Sequence, residues 1–216
     1  MTRPDLVIFD CDGVLVDSEP ITNELLQQDF AQRGLTLSQQ EIDRMFTGGT
    51  MRAVGQQAAA MGADIRDGWV EAFYETMYVR LAEGTPLIPG VEQVLDRLDT
   101  AGIPYCVGSN GSLRKMAITL GQHPALHARL TDRLYSAHVH GTAKPDPGLF
   151  LIAAGEFGVP PSRCAVVDDS VSGCTAASRA GMRCFGFAAH DDGTRLAATG
   201  ATVFHRMADL PALLQI

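Results

Sequence analysis

At 216 residues the chain can build one sizeable core, or one core with a small accessory unit, and 46% hydrophobic with 19% charged residues suits a globular protein. Seventeen basic against 25 acidic residues leave a net charge of −8, which argues against a nucleic-acid or anionic-membrane surface. No apolar run is long enough to span a bilayer, the start lacks a signal-peptide pattern, and the five cysteines form no C-x-x-C pair, so a cytoplasmic protein with reduced thiols is expected.

In chain order, residues 5–9 read as a short buried strand that runs into Asp10, with Asp12 two positions on. From Ser18 to about Gly84 the spacing turns helical. Ile21, Leu25, Leu26 and Phe30 share one face, and Trp69, Phe73, Met77 and Leu81 another. Ser18 and Pro20 are read as the N-cap and first-turn proline of the first helix. "TGGT" at 47–50 and "GADIRDG" at 62–68 break the segment into three or four helices. Beyond "GTPLIPG" at 84–90, strand-like runs at 104–108, 133–137, 164–167 and 183–187 alternate with amphipathic helices, one carrying Val91, Val94, Leu95 and Leu98, another Phe150, Ala153, Ala154 and Phe157. This alternation predicts an α/β fold: a Rossmann-like, three-layer core with a parallel sheet, formed by residues 1–17 and 85–216, with an all-helical domain inserted at 18–84.

Ligands of open α/β sheets bind beyond the carboxyl ends of the strands. Asp10 and Asp12, Ser109 and Asn110, and Asp168 and Asp169 each follow a predicted strand, and Lys144 lies in the loop "KPDP". Side chains at i and i+2 point the same way, so Asp10 and Asp12 can face one small volume while Cys11 turns away. Two carboxylates about 4 Å apart repel by roughly 4 kcal/mol at an effective dielectric near 20, so the cluster needs a counter-charge. A hard divalent cation with oxygen ligands fits, and Mg²⁺ is expected. Carboxylates beside Mg²⁺, a hydroxyl, an amide and a lysine make a site for phosphoryl transfer, with one acid attacking and the other managing protons. Of the 17 basic residues only Lys115 and Lys144 are lysines, and at Lys144 a compact ammonium would serve better than an arginine fork.

"FDCDGVLVDSE", "VGSNG", "KPDP" and "VVDDSVSG", in this order over residues 8–173, resemble the four motifs of the haloacid dehalogenase superfamily, in the branch with an inserted helical cap. The resemblance implies Asp10 as nucleophile and Asp12 as general acid/base. It implies Ser109, Asn110 and Gly111 as the phosphate-holding loop, and Lys144 as the neutralising cation. Its metal ligands would be Asp10, Asp12 through its backbone carbonyl, Asp169, and Asp168 directly or through water. It further implies that substrate enters between cap and core and that the cap closes over it. Asp12 favours phosphate esters over carbon–halogen bonds, and the absence of lysine from 18–84 disfavours a Schiff-base phosphonatase.

The wording is most similar to 6-phosphogluconate phosphatase-like members. The expected activity is therefore Mg²⁺-dependent hydrolysis of a sugar phosphate or sugar-acid phosphate such as 6-phosphogluconate, by a monomer or weak homodimer with no nucleic-acid or membrane partner. A β-phosphoglucomutase-type mutase is the alternative, disfavoured by Thr22 five positions after Asp17, where those enzymes usually carry histidine, and by Met51 at their arginine position. A non-catalytic phospho-acceptor switch is a reading of another class, against which the helical insert and the position of the acid pair both count. Arg44, Arg52, Arg66 and Arg80 of the insert are candidates for substrate anions, and the acids at 168 and 169 are also expected to cap the helix that follows.

Overall fold

The computed structural model describes residues 2–46 and 50–216. Its contacts divide the chain into two compact units, Met1–Asp17 with Pro86–Ile216, and Ser18–Thr85. The first unit is built on a parallel sheet of six strands, β1 (Leu6–Phe9), β2 (Tyr105–Ser109), β3 (Leu134–Ser136), β4 (Cys164–Asp168), β5 (Arg183–Phe187) and β6 (Thr202–Phe204), in the order β3-β2-β1-β4-β5-β6. The α/β fold read from the sequence is thus present. β6 was not anticipated: three residues with an exposed first side chain carry too little apolar signal to separate a strand from a loop.

Alternation along the strands sorts the core into two layers. Val7, Phe9, Tyr105, Val107, Ala165, Val167 and Phe185 belong to one buried cluster, with the apolar faces of α5 (Val91–Thr100), α6 (Leu113–Leu120) and α7 (Pro124–Leu130). Leu6, Ile8, Cys106, Cys164, Val166 and Cys184 belong to the other, with α9 (Gly148–Glu156) and α10 (Val171–Arg179). A sheet covered on both faces explains why its strands read as continuous apolar runs. All five cysteines are buried and unbridged. No helix among the described residues is long and apolar enough to cross a membrane.

Beyond β1 the chain folds back tightly. Gly13 donates to the Val16 carbonyl at 2.8 Å, and Leu15 and Val16 both donate to the Cys11 carbonyl. The outgoing and returning chains are then tied together by Asp17 N–H to the Pro86 carbonyl and Ile88 N–H to the Leu15 carbonyl. These bonds fix the ends of the insertion within the sheet unit.

The inserted unit contains α1 (Glu19–Gln32), α2 (Gln39–Phe46), α3 (Met51–Ala60) and α4 (Trp69–Ala82). Pro20 lies in the first turn of α1, but Ser18 makes no side-chain cap there; its own backbone is already helical, which turns the hydroxyl away from the first free N–H groups. The unit has its own core. Trp69 stacks between Phe30 and Phe73, and Phe30 meets Phe46 edge-on. Asp29 accepts from both Trp69 Nε1 and Arg33 Nε at 2.7 Å. A side chain at Gly55 would lie 2.8 Å from the indole, so α3 passes close only because that position is glycine. Arg66 is paired to Asp64, and Arg80 to Glu83 and Glu24; residues 47–49 of the "TGGT" break lie outside the described residues.

Because Trp69 is the single tryptophan, its fluorescence reports this unit. Phe30→Ala should cost about 3–5 kcal/mol, seen as an earlier fluorescence transition in urea; an unmoved midpoint would mean that Phe30 does not support this core.

Candidate active site

The strand order places β1 between β2 and β4, so the carboxyl ends of three neighbouring strands supply the polar residues singled out above. Asp10, one residue past β1, is buried; its backbone N–H continues the sheet by donating to the Val167 carbonyl at 2.9 Å. Its Oδ1 accepts from Cys11 N–H at 2.7 Å and faces Lys144 Nζ at 2.9 Å. Asp168, fully buried at the end of β4, faces the same ammonium through Oδ2 at 2.8 Å. Lys144 thus bridges two acids from different strands.

Asn110 accounts for the placement of that lysine. Its Oδ1 accepts from Lys144 N–H at 2.9 Å and its Nδ2 donates to the Lys144 carbonyl at 3.2 Å. The side-chain amide expected to face substrate is therefore engaged by the lysine's own backbone. Ser109, the last residue of β2, accepts from Gly111 N–H at 3.0 Å, and Ser136 donates to the Gly111 carbonyl at 2.7 Å, which shapes the loop between β2 and α6.

Asp168 Oδ1 accepts from both the N–H and the hydroxyl of Ser170, and Ser170 Oγ in turn accepts from Gly173 N–H at 3.0 Å. Ser170, rather than either acid, caps α10, because its extended backbone aims the hydroxyl at the first turn. Asp168 lies directly over that turn. A Cβ at Gly173 would come within 1.9–2.1 Å of its carboxylate atoms, and one at Gly13 within 2.0 Å of an Asp169 oxygen. Both glycines hold space for the acids, and Gly13 also has φ +73.

Oxygens of Asp10, Asp168 and Asp169 lie within 4.8 Å of one another, a group that could hold a metal ion. The Asp12 carboxylate stands outside that group: its Oδ1 lies 2.8 Å from Lys115 Nζ. The strand period placed Asp10 and Asp12 on one side, but the chain leaves the sheet after Phe9, and the two acids end up held by different lysines. Lys115 was missed by motif reading. The signal that could have found it is the one applied to Lys144, since the chain has just these two lysines.

The charge balance is uneven. Burial raises the Asp10 carboxyl to about 7, the charge of Lys144 opposes the rise, and the negative charge of Asp168 adds to it. Burial also works against the charge on Lys144, yet Asp10 and Asp168 hold its ammonium above the usual lysine range. One lysine among three carboxylates leaves surplus negative charge. An all-oxygen donor set with that surplus suits a hard cation.

Residues 4–181 match the family described as haloacid dehalogenase-like hydrolases. The chain belongs to this family. It is 32% identical to the 6-phosphogluconate phosphatase of Escherichia coli K12 over 214 residues, covering 99% of this chain and 96% of that protein. A haloacid dehalogenase-like protein of unknown function from Agrobacterium tumefaciens superposes with a TM-score of 0.88 at 34% identity, over 98% of this chain and 97% of the other. A family hydrolase from Deinococcus radiodurans, solved with bound phosphate and sodium, superposes with a TM-score of 0.84 at 31% identity, over 100% and 97%. This haloacid dehalogenase-like hydrolase is thus an enzyme with a named phosphatase among its relatives.

In a helix interior alanine is normally favoured over glycine by roughly 0.5–1 kcal/mol. Gly173→Ala is nevertheless expected to destabilise by about 1–3 kcal/mol, because the Asp168 carboxylate must move off Lys144 and Ser170. Chemical denaturation reads the sign directly. The Asp10 shift gives a second expectation. A carboxyl raised from an unfolded value near 3.9 to about 7 binds its proton more tightly when folded, so its contribution is complete below about pH 4 and is lost as pH rises through 7. Metal-free Asp10→Asn, which stays neutral, should therefore be more stable than the parent at pH 8 and gain less at pH 5; equal melting shifts at both pH values would contradict the raised carboxyl.

Proposed function

We propose that the protein is a Mg²⁺-dependent phosphatase that hydrolyses a small phosphorylated metabolite, a sugar phosphate or sugar-acid phosphate such as 6-phosphogluconate, through an aspartyl-phosphate on Asp10. The observation that carries this reading is the separation of the two first-motif acids. Asp10 lies with Lys144 and the acidic group, as a nucleophile must to receive a phosphoryl group, while the Asp12 carboxylate is paired to a second lysine, Lys115. In this reading Asp10 attacks phosphorus and Asp12 gives a proton to the leaving alkoxide. Asp12 then takes a proton from the water that cleaves the phosphoaspartate. Lys144 neutralises nucleophile and phosphoryl oxygens. The Ser109 hydroxyl and the Gly111 segment hold those oxygens, and Asn110 holds Lys144.

The residues fit Mg²⁺ by donor chemistry. Asp10, Asp169 and the backbone carbonyl of Asp12 would hold it. Asp168, already engaged by Lys144 through Oδ2 and by Ser170 through Oδ1, is better suited to anchor the lysine than to hold the ion directly. When bound, Mg²⁺ would supply positive charge against the phosphoryl oxygens. The helical unit 18–85 would act as the cap that selects the substrate. The choice of sugar-acid phosphates draws its support from the Escherichia coli relative, whose likeness spans nearly the whole of both chains.

The test is phosphate release from a panel of phosphorylated sugars and sugar acids, with Mg²⁺ or with EDTA. Turnover should require Mg²⁺ and fall to background in Asp10→Asn. Asp12→Asn should lose kcat with KM largely kept. Stable self-phosphorylation without turnover would instead support the acceptor switch, and isomerisation needing a bisphosphate activator would support a mutase.

A further inference from the structure

Lys115 lies outside the four motifs, and its placement runs against local preference. It is the third residue of α6, whose first turn is fixed by Ser112 Oγ accepting from Lys115 N–H at 3.1 Å. A cation in the first turn faces the positive end of the helix dipole, an unfavourable position worth roughly 0.3–1 kcal/mol. Its ammonium is also largely withdrawn from water, with the side chain 15% exposed. Neither helix stability nor solvation accounts for a lysine here. Its partner does.

Nζ lies 2.8 Å from Asp12 Oδ1, and both groups close around the loop that follows β2. A Cβ at Gly111 would stand 3.2 Å from Ser109 Oγ, 3.5 Å from Asp12 Oδ2 and 3.7 Å from Lys115 Cδ. Serine hydroxyl, acid and lysine stem therefore converge on one point at the carboxyl end of β2. Asp12 follows β1 in a tight turn, whereas Lys115 is set on a helix whose Met116, Thr119 and Leu120 are buried. The lysine is thus carried on a helix anchored by its buried face, independent of the turn that carries the acid.

We propose that Lys115 is a positioning residue: its ammonium, set by α6, holds the Asp12 carboxylate over the Ser109–Gly111 loop, in the orientation needed for proton transfer at the leaving-group oxygen. This rests on Asp12 acting as the general acid/base. In this arrangement Lys115 serves Asp12, and neutralising the phosphoryl group is left to Lys144, the lysine paired with Asp10.

The experiment compares Lys115→Met, Lys115→Arg, Asp12→Asn and the Asp12→Asn/Lys115→Met double variant in the full-length protein with Mg²⁺. The substrates are an alkyl phosphate turned over by the parent and p-nitrophenyl phosphate. kcat/KM reports steps up to departure of the leaving group; an alkoxide needs a proton there and p-nitrophenolate does not. Lys115→Met should lower kcat/KM for the alkyl ester by about tenfold or more, with KM nearly unchanged, and for the aryl ester by less than about threefold, where any loss of kcat at the water step is matched by a fall in KM. Adding Lys115→Met to Asp12→Asn should cost nothing further. Both esters are assayed on one preparation, so partial unfolding cancels in their ratio; if the methionine variant does not fold, the ratio is read from Lys115→Arg, which keeps the charge but displaces it. Equal losses for the two esters, a rise in KM alone, or an additive loss in the double variant would overturn the proposal. If Asp12→Asn itself affects both esters equally, the assignment of Asp12 fails; a split in Asp12→Asn without one in the Lys115 variants overturns the role of Lys115 alone.

Discussion

Two buried carboxylates on adjacent strands, Asp10 and Asp168, share one buried ammonium, that of Lys144. Desolvation makes such a group costly, and the surrounding chain offsets part of that cost with hydrogen bonds and space for the acids. Asn110 fixes the backbone of Lys144, Cys11 N–H and Ser170 bond the acids, and Gly13 and Gly173 leave room for Asp169 and Asp168. Remove the lysine and two acids would remain in a low-dielectric site without the ammonium that lies between them. The parallel sheet is what brings these segments together, since its strand order sets the β1, β2 and β4 termini side by side.

The two lysines divide the acids between them. Lys144 gathers Asp10 and Asp168 next to Asp169, and Lys115 pairs with Asp12 on the β2 side. Under the proposed mechanism the nucleophile and the proton donor are thus held by different cations, although only one residue separates them in sequence. In a chain whose other fifteen basic residues are arginine, lysine stands at these two positions alone, where a compact ammonium meets one oxygen of each acid more readily than a planar fork.

Much of the fold was legible because its determinants are local. Short, continuous apolar runs marked five of the six strands, and the switch to helical spacing at Ser18 marked the insertion. β6 escaped because three residues carry almost no periodic signal, and Ser18 was read as a cap because residue type does not disclose backbone conformation. The same limit applied at α10, where two acids looked like the cap and the serine after them performs it.

The sequence by itself determined which residues were candidates for the site. Acids, a hydroxyl and an amide at strand ends, with a lysine in a later loop, follow one another along the chain in a recognisable order. Only the tertiary structure decided how they are shared out: Asn110 turned to the backbone of Lys144, Asp168 to Lys144 and Ser170, and Asp12 to Lys115. The physical reason is that a buried polar group takes whichever partner lies within about 3 Å, and apart from Ser170 those partners come from segments far apart in the chain.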